Sequence, residues 1–180
     1  MLRITITPHH ILPHESQIIT SLLSDGWTYV HLRHPDASLR EIQSIIEAIP
    51  QKFHSRIKLH GHFELVHRFN LGGLHLNHRC PVPPVGYTGN LSRSCHTPQE
   101  LAEASGLEYA TLSPVYPSIS KPDYLPSLSH AQITGAVAHA SVPVVALGGI
   151  TPDKEPELLR MGFSGYACLG SVWQQFSDNK

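Results

Sequence analysis

The sequence predicts an α/β fold, a compact (β/α)8 TIM barrel in which strands and helices alternate around a closed parallel sheet. Short β-rich runs alternate with longer segments of helical period, and Gly and Pro residues separate them. Eight strand-like runs can be counted, the number that the barrel needs. They are residues 3–7, 28–33, 56–60, 73–76, 88–94, 109–112, 144–147 and 165–169.

Amphipathic segments lie between most of these runs, and some of their starts are well marked. Thr97 supplies a capping hydroxyl, Pro98 follows it, and Glu100 stands at the third helical position. Thr151 and Pro152 begin another segment in the same way. The predicted helices are residues 15–24, 38–49, 63–69, 98–105, 127–139 and 152–161.

The chain has 180 residues, fewer than the roughly 200 of the smallest usual barrels, so some connections must be short. Residues 77–84 contain three prolines where the fourth helix belongs, which predicts a loop or a single turn. The eighth helix, from Ser171 onward, also looks trimmed. An open doubly wound sheet is the alternative, but it normally needs fewer strands. No linker or charge run divides the chain, which favours one domain over residues 1–180.

Composition limits the classes of partner. Lys and Arg number 13 against 14 Asp and Glu, so no basic excess favours nucleic acid, and a small molecule is the expected ligand. No apolar run approaches the roughly 20 residues that span a bilayer. The first residues resemble a strand and not a secretory signal, which predicts a cytoplasmic protein. The three cysteines have no CxxC spacing, and the oligomeric state, including a homo-oligomer, stays open.

Glycines at two consecutive strand ends point to an anion. The seventh run ends in Gly148 and Gly149, and the eighth is followed by Gly170 and Ser171. In barrels, the loops after these two strands commonly bind phosphate through main-chain N–H groups. The alternative is that the glycines only permit tight turns.

The loop after the sixth run carries a further group of donors. Ser118, Ser120 and Lys121 place two hydroxyls and one ammonium group within four residues. Such a set can bind a phosphate or a diphosphate. The alternative is a solvated loop that prolines stiffen, and the nearby glycine ends favour the binding interpretation.

Six motifs can be read together along the chain. They are His31-Leu-Arg33, Leu59-His-Gly-His-Phe-Glu-Leu65, Gly73-Leu-His-Leu, Ser94-Cys-His96, Ser113-Pro-Val-Tyr-Pro-Ser-Ile-Ser-Lys121 and Ala146-Leu-Gly-Gly-Ile150. As a set, over nearly the whole chain, they resemble the thiamine phosphate synthase and TenI family.

The resemblance implies a compact barrel that acts on the thiazole phosphate and pyrimidine halves of thiamine. It implies phosphate contacts at Gly149, Gly170 and Ser171. It also implies diphosphate contacts at Ser118, Ser120 and Lys121, which stand where the synthases have Thr-x-Thr-Lys.

The chain departs from the synthase branch at its charged positions. Where synthases resemble Gln-x-Arg-x-Lys, this sequence keeps Arg33 and has no lysine. Where they have Asn-Asp, it has His60 and Gly61, and their second metal-binding aspartate falls near Cys80. Magnesium prefers oxygen ligands. We therefore expect no metal or other cofactor, and Mg²⁺ only if the protein is a synthase.

The same segments are similar to the thiazole tautomerase branch, which has His-x-Arg at the second strand and Arg-Ser-x-His at the fifth. The leading hypothesis is a tautomerase that makes thiazole carboxylate phosphate aromatic by proton transfer without metal. The resemblance implies His96 as general base and acid, Arg33 as the partner of the substrate carboxylate, and Ser94 as a hydrogen-bonding orienter. Alternatively, His96 is only solvated, and Arg33 pairs with Asp36.

Two other functions compete with this hypothesis. One is a thiamine-phosphate synthase that couples hydroxymethylpyrimidine diphosphate to thiazole phosphate, and the other is a non-catalytic barrel that binds a phosphorylated ligand. His31 and His60 are further candidates for ligand contacts in each case.

Several histidines lie near predicted strand ends and raise the question of a metal. Converging imidazoles bind zinc and similar ions, but alternate strand residues point to opposite faces, so spacing cannot show convergence. Polar filling of the barrel mouth is the expected role. The residues are His31, His60, His62, His75 and His78.

Overall fold

Eight parallel strands close into one barrel in chain order, and β8 pairs with β1. The computed structural model describes residues 1–117 and 128–177. The predicted TIM barrel is confirmed, and the closed order excludes the open doubly wound sheet. The strands are β1 Leu2–Ile6, β2 Tyr29–Leu32, β3 Ile57–Leu59, β4 Gly73–Leu76, β5 Leu91–Cys95, β6 Tyr109–Leu112, β7 Val144–Leu147 and β8 Gly165–Cys168.

Helices cover the outside of the barrel, and two begin at the predicted residues, Glu15 and Pro98. Others begin later: the third at residue 65 and not 63, and the sixth at residue 155, after a 3₁₀ segment to which Thr151 gives no side-chain cap. The predicted start at residue 127 lies outside the described residues, and that helix begins at residue 130.

Capping boxes start three of the helices, at Ser38, Thr97 and Ser129. Short 3₁₀ segments occupy Gln51–Arg56 and Pro152–Lys154. The α-helices are α1 Glu15–Ser24, α2 Leu39–Glu47, α3 Leu65–Arg68, α4 Pro98–Ala102, α5 His130–Ala138, α6 Glu155–Arg160 and α7 Gly170–Ser177. None of these helices is long and apolar enough to span a bilayer.

The connection between β4 and β5 is a loop without a helix, as its prolines predict. Helix α7 has eight residues, compared with ten in α1. Strand β5 was expected to begin at residue 88 but begins at Leu91. Its pairing with β4 starts at Leu74 opposite Leu91, and the Asn90 carbonyl, just before the strand, accepts from the Leu74 backbone N–H at 3.0 Å.

Side-chain alternation along the strands divides the apolar residues into two cores. The larger core lies between the sheet and the helices. The smaller fills the barrel interior and consists of Ile4, Ile6, Tyr109, Val145 and Ala167. Because these residues come from β1, β6, β7 and β8, the interior positions of β2 to β5 are left to polar side chains.

An ion pair between a buried ammonium group and a partly exposed carboxylate lies in the lower part of this polar interior. The Lys58 ammonium group lies 2.6 Å from a Glu108 carboxylate oxygen, and the Lys58 side chain is 0% exposed. The Tyr29 hydroxyl donates to the other Glu108 oxygen at 2.6 Å. Burial lowers the pKa of Lys58, although Glu108 opposes that shift. Burial and Glu108 together raise the pKa of Tyr29 to about 12.

We expect Glu108→Gln to destabilise the protein more than Lys58→Met. Loss of the carboxylate leaves a buried ammonium ion without its counter-charge, at a cost of about 3–5 kcal/mol, whereas Lys58→Met removes the buried charge itself. Urea unfolding of both variants measures the difference. An equal loss, or a larger loss in Lys58→Met, would contradict the prediction.

Candidate functional site

A cavity of about 720 Å³ opens at the carboxyl ends of the strands. This is the face on which TIM-barrel enzymes place their active sites. Each strand or the residues directly after it contributes to the wall. One such residue from each, β1 to β8, is Ile6, Arg33, His60, Asn77, Ser94, Ser113, Leu147 and Leu169.

Most of the site residues predicted from the sequence meet in this cavity. His31 lies below it, fully buried in the barrel interior. Ser118, Ser120 and Lys121 lie outside the described residues, so their predicted diphosphate contacts stay a prediction. The predicted residues that line the cavity are Arg33, His60, Ser94, His96, Gly148, Gly149, Gly170 and Ser171.

The glycine pair after β7 has a packing role in addition to its position at the cavity. Both Gly148 and Gly149 have positive φ angles, 93° and 63°. A Cβ at Gly149 would lie 2.3 Å from the Pro117 carbonyl oxygen, and one at Gly148 would lie 2.8 Å from the Pro114 Cα. Close approach of residues 114–117 therefore requires these glycines whether or not an anion binds.

The turn after β8 lies next to this pair. The Ser171 hydroxyl donates to the Ile150 carbonyl at 2.8 Å, which ties the start of α7 to the end of β7. With the helix start held by this bond, the backbone N–H groups at the start of α7 lie beside the cavity. The helix dipole favours an anion there.

His96 is exposed at the cavity rim, and Ser113 orients its ring. Its Nδ1 lies 3.1 Å from both the Ser113 carbonyl oxygen and the Ser113 hydroxyl. When Nδ1–H donates to the carbonyl, the neutral ring keeps its lone pair on Nε2. That nitrogen can then accept a proton.

Ser94 was expected to orient the general base, but its hydroxyl contacts His75 instead. Its Oγ lies 2.9 Å from His75 Nε2. Ser94 lies in β5 and His96 directly follows that strand, two residues further on, so both line the cavity but each contacts a different neighbour. Arg93, the residue before Ser94, is exposed and is not among the described residues of the cavity wall.

Two guanidinium groups give one side of the cavity positive charge. Burial, and then the nearby Arg79, lower the pKa of Arg33. Within residues 1–117 and 128–177, no carboxylate pairs with Arg33. Asp36, its expected alternative partner, lies 3.9 Å from Arg79 and 3.6 Å from His9. Arg33 is therefore available to a ligand.

Three imidazoles meet at the floor of the cavity. His31 Nδ1 lies 2.8 Å from His60 Nε2, and His31 Nε2 lies 2.5 Å from the Tyr109 hydroxyl. The rings of His60 and His75 stack with their centroids 4.2 Å apart. His75 Nδ1 contacts the Ser92 hydroxyl at 2.9 Å. The predicted polar filling of the barrel is thus a connected network.

Burial keeps these three rings neutral. Loss of solvation lowers the pKa of His75 to about 3, with a smaller contribution from Lys58. The pKa values of His31 and His60 are also lowered well below the usual value, mainly by burial and then by repulsion from His75.

Sequence reasoning missed the residues that hold the β3 and β4 ends together. The Asn77 side-chain amide donates to the His60 carbonyl at 2.9 Å, and its oxygen accepts from the Arg79 backbone N–H at 3.0 Å. These bonds fix the turn that brings Arg79 to the cavity. An Asn at the end of a strand and before a turn was the available signal.

The wall of the cavity, as far as the structure describes it, contains no Asp or Glu. Guanidinium and imidazole groups on one side and glycine turns on the other suit a small anionic ligand. Fold and site therefore define a (β/α)8 barrel with a cavity at its mouth whose described wall suits small anionic ligands.

The chain belongs to the thiamine monophosphate synthase (TMP-TENI) family, which it matches over residues 4–172. It is similar to a putative thiamine-phosphate synthase of Geobacter sulfurreducens, with 26% identity over 86% of this chain and 78% of the relative. A thiamine-phosphate synthase of Levilactobacillus brevis is 38% identical, over 42% of this chain and 36% of the relative.

A solved structure agrees with this assignment. The thiamine phosphate pyrophosphorylase from Bacteroides thetaiotaomicron superposes with a TM-score of 0.88 and 33% identity, covering 99% of this chain and 88% of the other. These relatives place the protein in thiamine biosynthesis, and they support a transferase better than the isomerase expected from the sequence.

The magnesium ion that the synthase branch implies does not fit the described cavity wall. Magnesium takes hard oxygen ligands in octahedral geometry. At the end of β3 the chain offers the His60 imidazole, and after β4 it offers the Arg79 guanidinium. Neither group supplies the carboxylate oxygens that hold this ion.

We expect the protein to lose stability as pH falls from about 6.5 toward 3. Each buried ring stays unprotonated in the folded protein, whereas the same ring in the unfolded chain accepts a proton below about pH 6.5. Each ring therefore lowers the free energy of unfolding by up to about 1.4 kcal/mol for every unit by which the pH falls. Urea unfolding between about pH 7 and 5 measures this slope. His75→Gln should flatten it, and the exposed control His139→Gln should leave it unchanged. A midpoint that does not move with pH would contradict the prediction.

Proposed function

We propose that the protein is a thiamine-phosphate synthase, a transferase that joins hydroxymethylpyrimidine diphosphate to thiazole phosphate and releases diphosphate. The observation that carries the proposal is the two-sided cavity, with guanidinium groups after β2 and β4 and glycine turns after β7 and β8. The names of the similar proteins support it.

The guanidinium side suits the leaving diphosphate. When the bond to diphosphate breaks, negative charge grows on the departing oxygens, and positioned cations stabilise that charge. Arg33 is half-buried, where its charge is less screened than in bulk water. Arg79 lies at the rim, 62% exposed, and can close onto the diphosphate from solvent. In this proposal the two arginines act where the synthase branch uses carboxylates and magnesium.

The glycine side suits the phosphate of the thiazole. Gly149 and Gly170 offer main-chain groups without side chains in the way, and Ser171 holds the two turns together. The strand order puts β7 opposite β3 in the closed barrel. Two anionic groups can therefore bind at opposite sides of the cavity. Its volume of about 720 Å³ lies in the range of small-molecule sites.

The tautomerase remains a second candidate because of His96. Its Nδ1 contact with Ser113 leaves Nε2 available as a base at the cavity rim. Arg33 lies in the wall of the same cavity and could bind the substrate carboxylate. This reaction needs no metal, which fits a wall with no carboxylate among its described residues.

Incubation of the protein with both substrates tests the proposal. We expect thiamine phosphate and diphosphate to form in equal amounts, also in the presence of EDTA. A parallel incubation with the non-aromatic thiazole tautomer measures the second candidate. Turnover of the tautomer without any coupling would overturn the synthase assignment. Stabilisation by thiazole phosphate with neither reaction would indicate a non-catalytic binder.

Arg33→Gln should make the pyrimidine diphosphate a poorer substrate, since the shorter glutamine side chain stays polar but carries no charge. We expect kcat/KM for this substrate to fall by about tenfold to a thousandfold, the range of 1.4–4 kcal/mol for a charge-stabilising donor. Arg40→Gln, an exposed arginine on α2, is the matched control and should change nothing.

His96→Gln separates the two enzyme candidates. Positioned proton transfer contributes about 10²–10⁴-fold, so a tautomerase should lose that much activity. The synthase reaction, in which the arginines assist the coupling of the two thiamine halves, should lose much less activity in His96→Gln. Steady-state assays of both reactions on the variant measure the difference. A loss of coupling as large as that of Arg33→Gln would contradict the roles assigned here.

A further inference from the structure

The imidazoles of His31, His60 and His75 form a group that the proposed function does not use. They come from three neighbouring strands: His31 lies in β2, His60 directly follows β3, and His75 lies in β4. One ring nitrogen from each residue lies within 4.8 Å of the other two. Three convergent imidazoles are a recurring ligand set for zinc.

We propose that His31, His60 and His75 bind a divalent transition-metal ion at the floor of the cavity, with Zn²⁺ as the best fit. Imidazole nitrogen suits borderline ions such as Zn²⁺ and Co²⁺, whereas Mg²⁺ prefers oxygen. The sequence alone predicted no metal, because it could not show that the three rings converge.

The distances require only small movements of the rings. Zinc–nitrogen bonds of 2.0–2.1 Å put the ligand nitrogens of a tetrahedral site roughly 3.4 Å apart. His31 Nδ1 and His60 Nε2 are now 2.8 Å apart, and share one hydrogen between them. A metal ion would take the place of that hydrogen, and shifts of about 1 Å would complete the three bonds.

Hydrogen-bond partners behind the rings match those of histidine ligands in metal sites. A metal-binding histidine usually donates its other ring N–H to an oxygen, which fixes the tautomer and the ring direction. His31 can bind through Nδ1 while Nε2 contacts the Tyr109 hydroxyl at 2.5 Å. His75 can bind through Nε2, in exchange for its 2.9 Å hydrogen bond with the Ser94 hydroxyl, while Nδ1 contacts the Ser92 hydroxyl at 2.9 Å.

The remaining coordination position faces the cavity. His60 and His75 line the cavity wall, whereas His31 lies beneath them. Zinc sites with three protein ligands and one open position bind water or a substrate atom there. With Arg33 on the same wall and no described carboxylate to balance the charge, an anionic oxygen such as that of a phosphate is the expected fourth ligand.

Titration of the metal-free, untagged, full-length protein with Co²⁺ tests this proposal without any assay of activity. We expect one tightly bound equivalent with the visible absorption bands of a site of low coordination number. Zn²⁺ should displace the Co²⁺. Inorganic phosphate should strengthen the binding and change the spectrum, because it fills the open position.

His60→Gln is the decisive variant because this side chain is only half-buried and its replacement spares the core. The affinity of this variant for Co²⁺ should fall by at least about tenfold, because loss of a group that only hydrogen-bonds to a metal ligand already costs about that much. His62→Asn is the matched control, since it changes another cavity histidine whose Nε2 contacts the Ala37 carbonyl. Circular dichroism confirms that each variant is folded.

Two results would overturn the proposal. One is weak binding of several equivalents, unchanged in His60→Gln, which would assign the metal to surface histidines such as His9 and His10. The other is the absence of binding by folded wild-type protein, which would leave the three rings as a hydrogen-bonded filling of the barrel. Neither result bears on the synthase proposal, whose test includes EDTA.

Discussion

The need to satisfy polar groups inside a closed barrel is the constraint on which the site depends. Lys58 is fully buried and can stay charged only because Glu108 lies 2.6 Å away. Above this pair, His31 contacts Tyr109 across the barrel interior at 2.5 Å. A buried polar group without a partner is costly, so these contacts fix the side chains that form the cavity floor.

The distribution of polarity follows from the order of the strands. Apolar residues such as Ile6 and Val145 fill the side formed by β7, β8 and β1. The interior positions of β2 to β5 carry imidazoles, hydroxyls and an ammonium group. A ligand at the mouth would meet guanidinium and imidazole groups on one side, and main-chain turns on the other. This asymmetry is consistent with a substrate, or a pair of substrates, with unlike ends.

Membership in the thiamine monophosphate synthase family and the chemistry of the cavity wall point in partly different directions. The relatives are named as synthases, yet the described wall holds Arg79 and His60 near the positions where the sequence resemblance implies magnesium-binding aspartates in that branch. A change from carboxylates to cationic and imidazole groups alters which ions can bind. The wall still suits an anionic ligand, because Arg33 and Arg79 give it positive charge.

The sequence by itself determined the barrel. Strand runs, the capping box at Thr97, and the prolines in residues 77–84 are local signals, so all eight strands and the missing fourth helix could be predicted. It also identified Arg33, His96 and the glycine turns as residues of one site. Only the tertiary structure decided which side chains touch. Ser94 bonds to His75 and not to His96, and three imidazoles from separate strands converge, because barrel closure and register set distances that spacing along the chain does not contain.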